Sequence, residues 1–350
     1  MALDERWGLA RAPRWGATLL DSRERSLGEL PGVRGGRIEV VSLSRLGGSA
    51  SLELSYRGVD IDPFTQRVAL SYDPGVEGLD PLPMGVYLFS SPRDRWTYVR
   101  QQSFELIPKL ATVDEDSFDE SYSVPAGANI VSAVVDVIES AGETAIAATP
   151  SGATLTNGMS WEAGESKLTI INDLLNAAGY SSLWTDGYGQ FRVEPYIEPG
   201  RRETVHVFES GDKSLHKAEW EREQNLVGIP NQVIVVCGGD DETPPIIGKY
   251  INTDPNDPLS TANRRTITRK EEASDIASLA EANAYAKRLY QEQLAPVATI
   301  TATHAILPLE QAQVIRFIAG DQDVRATIQR MEFDMSAANS QCAATWRVVS

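Results

Sequence analysis

The side chains able to do chemistry are few in this sequence and widely spaced. There are three histidines, His206, His216 and His304. No two of them stand at metal-ligand spacing, and neither His-Glu-x-x-His nor Cys-x-x-Cys occurs. His206 and His304 lie in strand-like text, where a packed imidazole is the expected reading. Serine is frequent, but no G-x-S-x-G is present. No phosphate-cradling or dinucleotide glycine motif follows a strand. Asp186 and Glu194 flank a hairpin, and paired carboxylates can hydrolyse glycosides. Asp186, however, occupies a turn-forming position that accounts for it without catalysis. Trp161, Trp184, Trp220 and Trp346 are the side chains a sugar-binding platform would use, although buried tryptophans are the commoner case. The run TVDEDSFDESYS supplies Asp114, Glu115, Asp116, Asp119 and Glu120 as oxygen donors. It lacks the spacing and the turn glycine of a calcium loop, so a solvated acidic linker is expected. No catalytic, cofactor-binding or metal-ligating residue is assigned, no cofactor is implied, and a non-enzymatic protein is expected.

The totals narrow the classes further. The chain has 350 residues and a formal net charge of −17. Its length suits two or three domains, and its composition is that of a soluble globular protein. The charge opposes general nucleic-acid binding and adhesion to anionic lipid. It suits a wall past which DNA slides without sticking, and it equally suits plain solubility; charge alone does not separate the two. No apolar run reaches the ~20 residues of a membrane span, and the opening MALDERWGLARAPRW has no apolar signal-peptide core. Cys237 and Cys342 each sit in or beside strand text; two buried free thiols in a reducing compartment are expected, with a bridge between them as the alternative.

The element that organises the chain runs from Trp161 to Tyr196. Leu168, Ile171, Leu174, Leu175 and Ala178 recur at helical steps and share one face. Gly164 or Ser166 opens the helix and Gly179 closes it. Tyr180–Trp184 and Gln190–Val193 then read as two strands about an Asp186-Gly187 turn. A helix on a two-stranded ribbon is too small to stand alone.

Around this unit the chain reads in five parts. Residues 1–36 predict an extended N-terminal arm that docks on a partner or on its own domain, with Trp7, Trp15 and Leu19-Leu20 as apolar anchors. Residues 37–120 carry about six short strands and predict a first antiparallel β-barrel. Within it, Ser90-Ser91-Pro92 marks the end of one strand. Residues 121–198 form an α+β insertion, with a first helix over Ile130, Val131, Val134, Val137 and Ile138 capped by Asn129 or Gly127. Residues 199–240 and 296–350 predict a second barrel, split in sequence; NQVIVVCGG is one of its strands. Residues 241–295 hold a Pro- and Asp-rich excursion and one long helix from about Ser274 to Leu294, with Ser278 and Glu281 as a capping box. The fold class is therefore mainly β with α+β insertions: two related antiparallel β-barrels, the second interrupted, plus a helix-hairpin domain.

In order and spacing this text resembles the hub proteins at the tip of long phage tails, including the baseplate hub and the hub part of siphophage tail-associated, or minor tail, proteins. The resemblance rests on FELIPKLATVDED followed by SVPAGANIVSAVVDVIESAG, on SWEAGESKLTIINDLLNAAGYSSLWTDGYGQFRVEPY, and on NQVIVVCGGDD, PIIGKYINTDPNDPLST and SLAEANAYAKRLYQEQ. It covers roughly residues 37–350. It implies a homotrimer whose six barrels continue a six-fold tail tube and adapt it to a three-fold tip. It also implies a distal tail protein above, a tip, spike or fibre protein below, and a tape-measure protein and then DNA in the channel, with no specific DNA binding and no membrane insertion. The implied location is the virion tail tip or baseplate, after assembly in the host cytoplasm. Because the chain ends at Ser350, soon after the second barrel, no fused spike or peptidase is expected. A virion adhesion or carbohydrate-binding module using the tryptophans, and a cell-wall hydrolase using Asp186 and Glu194, are the competing readings.

Overall fold

The computed structural model describes residues 4–42, 44–96, 98–224, 229–238, 244–273, 276, 278–291, 298–336 and 339–349. The first strands are β1 (Arg14–Asp21), β2 (Ser26–Glu29), β3 (Val33–Val41), β4 (Gly48–Ser55), β5 (Gln66–Asp73), β6 (Leu82–Trp96) and β7 (Arg100–Pro108). They pair in the order β3-β4-β7-β6-β5-β1-β2, all antiparallel. Alternation drives them. On β4, Ala50, Leu52 and Leu54 point inward while Glu53 points out. On β5, Val68, Leu70 and Tyr72 are the buried set. The Leu30 amide donates to the Ala17 carbonyl at 2.8 Å, which carries the β1–β2 pairing one residue past β2 before the chain enters β3.

A short helix α1 (Ala111–Asp114) leads into the insertion. That unit comprises β8 (Tyr122–Val124), α2 (Ile130–Ser140), β9 (Ile146–Ala148), β10 (Met159–Trp161), α3 (Lys167–Ala177), β11 (Trp184–Thr185) and β12 (Phe191–Val193). Asn129 caps α2, accepting from the Ser132 amide at 2.9 Å. Gly179, at φ +70°, supplies the left-handed residue that ends α3. Helices α2 and α3 pack on each other and on the β11–β12 hairpin. One core of Val134, Ile138, Ile171, Leu174, Leu175, Phe191 and Val193 unites them.

The chain then returns to the main sheet through β13 (Thr204–Glu209) and β14 (His216–Glu223). It leaves again for β15 (Gln232–Cys237), β16 (Ile246–Ile251), β17 (Thr268–Ala273) and α4 (Leu279–Leu289). It finishes with β18 (Thr299–Ala305), β19 (Val314–Ala319), β20 (Gln322–Asp334) and β21 (Gln341–Val348). Among the described residues thirteen strands make one sheet, and β20 is its spine. Its first half pairs with β19, its second half with β3, and its other edge with β21. Both halves share a continuous core, from Leu52, Leu70 and Phe104 to Phe208, Phe317 and Trp346.

Four sequence expectations need correction. The segment 1–36 is more than an arm docked on its own domain: β1 is a strand of the sheet, paired with β5 along its whole length, and Trp7 is buried in the core. Leu19 and Leu20 are both buried although adjacent strand residues face opposite sides, which hides the strand period. Ser90-Ser91-Pro92 does not end a strand. It is an irregularity inside β6, with Ser91 at φ +44°. The strand NQVIVVCGG lies outside the second barrel: β15 pairs with β16 and β17, and α4 covers that small sheet. The second half is not wholly antiparallel, since β13 runs parallel to β19. For the long helix, Leu279–Leu289 is observed with Ser278 accepting from the Glu281 amide; residues 274, 275, 277 and 292–294 of the expected span lie outside the described residues.

Candidate functional site

The strongest concentration of buried charge lies where the first barrel meets the insertion. Lys109, just past β7, is fully buried. Its Nζ lies 2.5 Å from a Glu24 oxygen and 3.2 Å from a Glu143 oxygen. It also donates to the Gly189 carbonyl at 2.8 Å. Arg67 on β5 reaches the same two carboxylates, at 2.8 Å and 2.7 Å. Glu24 comes from the β1–β2 turn, and Glu143 follows the end of α2. Two cations therefore face two anions, the condition for holding charge away from water. Burial pushes the Glu143 carboxyl up, but Arg67 and Lys109 outweigh it and hold the group below its ordinary range.

Beside this quartet the β11–β12 turn docks on the start of β6. The Gly85 amide donates to the Gly187 carbonyl at 2.9 Å. A Cβ on Gly187 would stand 2.4 Å from the Pro83 carbonyl oxygen, so only glycine allows this approach. A cavity of about 370 Å³ opens here, lined by residues of β6, of the Trp184–Tyr188 turn and of the 307–313 loop. The site thus joins the first barrel, the insertion and the second half. Its chemistry is positioning: it fixes one unit on the others.

The residues singled out in the sequence fall elsewhere or into structural roles. Asp186 accepts from the Tyr188 and Gln190 amides at 3.0 Å each, as a turn residue does. Arg192 pairs with both Asp186 and Glu194. Asp114 is paired with Arg45, and Asp116 with Lys167 at 2.5 Å. Among the described residues no group of three or more His, Cys, Asp or Glu side chains is disposed to hold a metal ion. Trp161 is buried in the insertion core and Trp346 in the barrel core, so the four tryptophans form no single platform. Cys237 and Cys342 are free and buried. No helix among the described residues is long and apolar enough to cross a membrane.

Two groupings escape sequence reasoning. The ionic quartet draws on positions far apart in the chain, and its one local signal is a lysine inside the apolar run IPKLATV. The three histidines also meet. His216 stands opposite His304 across β14 and β18, and Phe208 lies 4.5 Å from His206 and 4.9 Å from His304, ring to ring.

No protein-family model and no curated protein matches the sequence. Solved structures do match the fold. A tail protein from Neisseria meningitidis MC58 aligns with a TM-score of 0.68 at 12% identity, over 95% of this chain and 96% of its own. The 43 kDa tail protein of prophage MuSo2 from Shewanella oneidensis gives 0.63 at 12% identity, over 95% and 98%. The E. coli c3393 protein, a type VI secretion component described as similar to the T4 tail proteins gp27 and gp5, gives 0.55 at 10% identity, over 91% and 74%. At these identities the likeness is one of fold, and nearly the whole chain has the fold of phage tail proteins.

Proposed function

We propose that this chain is a structural virion protein, the hub at the distal end of a phage tail. Three copies would place six barrel halves in a ring, matching a six-fold tube above to a three-fold tip below. The observation that carries the reading is the pairing of two barrel halves on one spine, β20, in a chain that follows tail proteins along 95% of its length. The net charge of −17 supports a channel that DNA traverses without adhering. The partners are a distal tail protein, a tape-measure protein and a tip, spike or fibre protein. Assembly takes place in the host cytoplasm, and the role is non-catalytic. Antibody against the chain should decorate the tail end opposite the capsid in electron micrographs of virions. Labelling along the shaft, or none, would count against the hub.

A further inference from the structure

One part of the first barrel overhangs its own sheet. Strand β6 pairs with β5 only from Leu82 to Leu88. Farther on, Arg93–Trp96 bond to β7 on one side. No strand among the described residues lies on their other side. Open strand edges invite further pairing. The tip also presents aromatic surface: Trp96 is 74% exposed and Tyr98 is fully exposed. Such side chains are the usual anchors of protein interfaces.

The tip is braced from within. Arg100 holds Asp94 through two bonds of 2.9 Å. Its guanidinium lies 4.9 Å from the Tyr56 ring and 5.3 Å from the Trp96 ring. A braced arm loses little freedom on docking. Arg93 and Arg95 are exposed and have no ion pair among the described residues. The tip is therefore positive on a chain whose net charge is −17.

We propose that the β6–β7 tip is a docking arm that seats on the acidic surface of a second copy of this chain. The inference rests on the ring reading above and assigns one of its contacts. Charge complementarity selects the occupant, because every copy carries a net charge of −17 while Arg93 and Arg95 find no ion-pair partner among the described residues of their own chain. Two unpaired cations on so acidic a chain are poorly suited to DNA.

The test is sedimentation of the full chain across a concentration series, with Trp96→Ala/Tyr98→Ala and Arg93→Glu/Arg95→Glu beside the wild type. Both sites are exposed, so the variants should keep the wild-type circular dichroism. The aromatic pair should raise the concentration for half-assembly by about thirty-fold or more, as loss of an interface anchor does. The charge-reversed pair should weaken assembly most at low salt. A wild-type trimer with equally stable variants would overturn the arm and leave the ring standing. A wild type monomeric throughout would overturn both. Binding to short duplex DNA that the variants lose, with self-association unchanged, would overturn the arm in favour of nucleic acid.

Discussion

Lys109 Nζ lies 3.2 Å from the Glu143 carboxylate, although the lysine is fully buried and the two residues belong to different units. Removing one partner of a buried pair leaves the other uncompensated, at a cost of about 3 kcal/mol or more. Lys109→Met should therefore lower the denaturation midpoint strongly. Adding Glu143→Gln should cost less than the sum of the single changes, because the orphaned charge is gone. Additive losses would show that the two do not act as a pair.

Acid should loosen the second half. Burial pulls the His304 imidazole down to about 4; the Ala305 carbonyl draws it back up, while His206, His216 and Arg11 push it lower. An unfolded histidine titrates near ~6.5. Between these values the unfolded chain binds more protons, so stability is full above about 6.5 and falls as the pH drops toward 4, by roughly 3 kcal/mol in all. His206 is displaced downward as well, again by burial. His304→Gln should shrink the loss between these pH values without abolishing it. An unchanged pH slope would contradict the assignment.

The small unit of β15, β16, β17 and α4 should be separable by one methyl group. A Cβ on Gly248 would stand 2.4 Å from Ala282 backbone on α4. Gly248→Ala should cost about 1–3 kcal/mol through this overlap. In hydrogen exchange, α4 amides should lose protection while those of β4, β5 and β7 keep theirs. Equal loss everywhere would mean that the unit does not open by itself.

What is legible in the sequence is what repeats locally. Leu168, Ile171, Leu174 and Leu175 announce α3 by their spacing, and all four are buried. Asp186-Gly187 announces the β11–β12 turn. Strand β1 is hidden because Leu19 and Leu20, on opposite faces, are both buried, so the alternation is masked. Strand β15 is visible as a strand, but its alternation fits either sheet, and only pairing decides between them. The quartet at Glu24, Arg67, Lys109 and Glu143 is illegible for a different reason: it is made by tertiary folding, from four segments with no shared spacing.

The central claim is the ring, and class averages of the purified protein in negative stain test it most directly. The account predicts a three-fold particle with an open centre, at three times the 38.2 kDa chain mass. A compact monomer at every concentration, or a closed two-fold dimer, would contradict it.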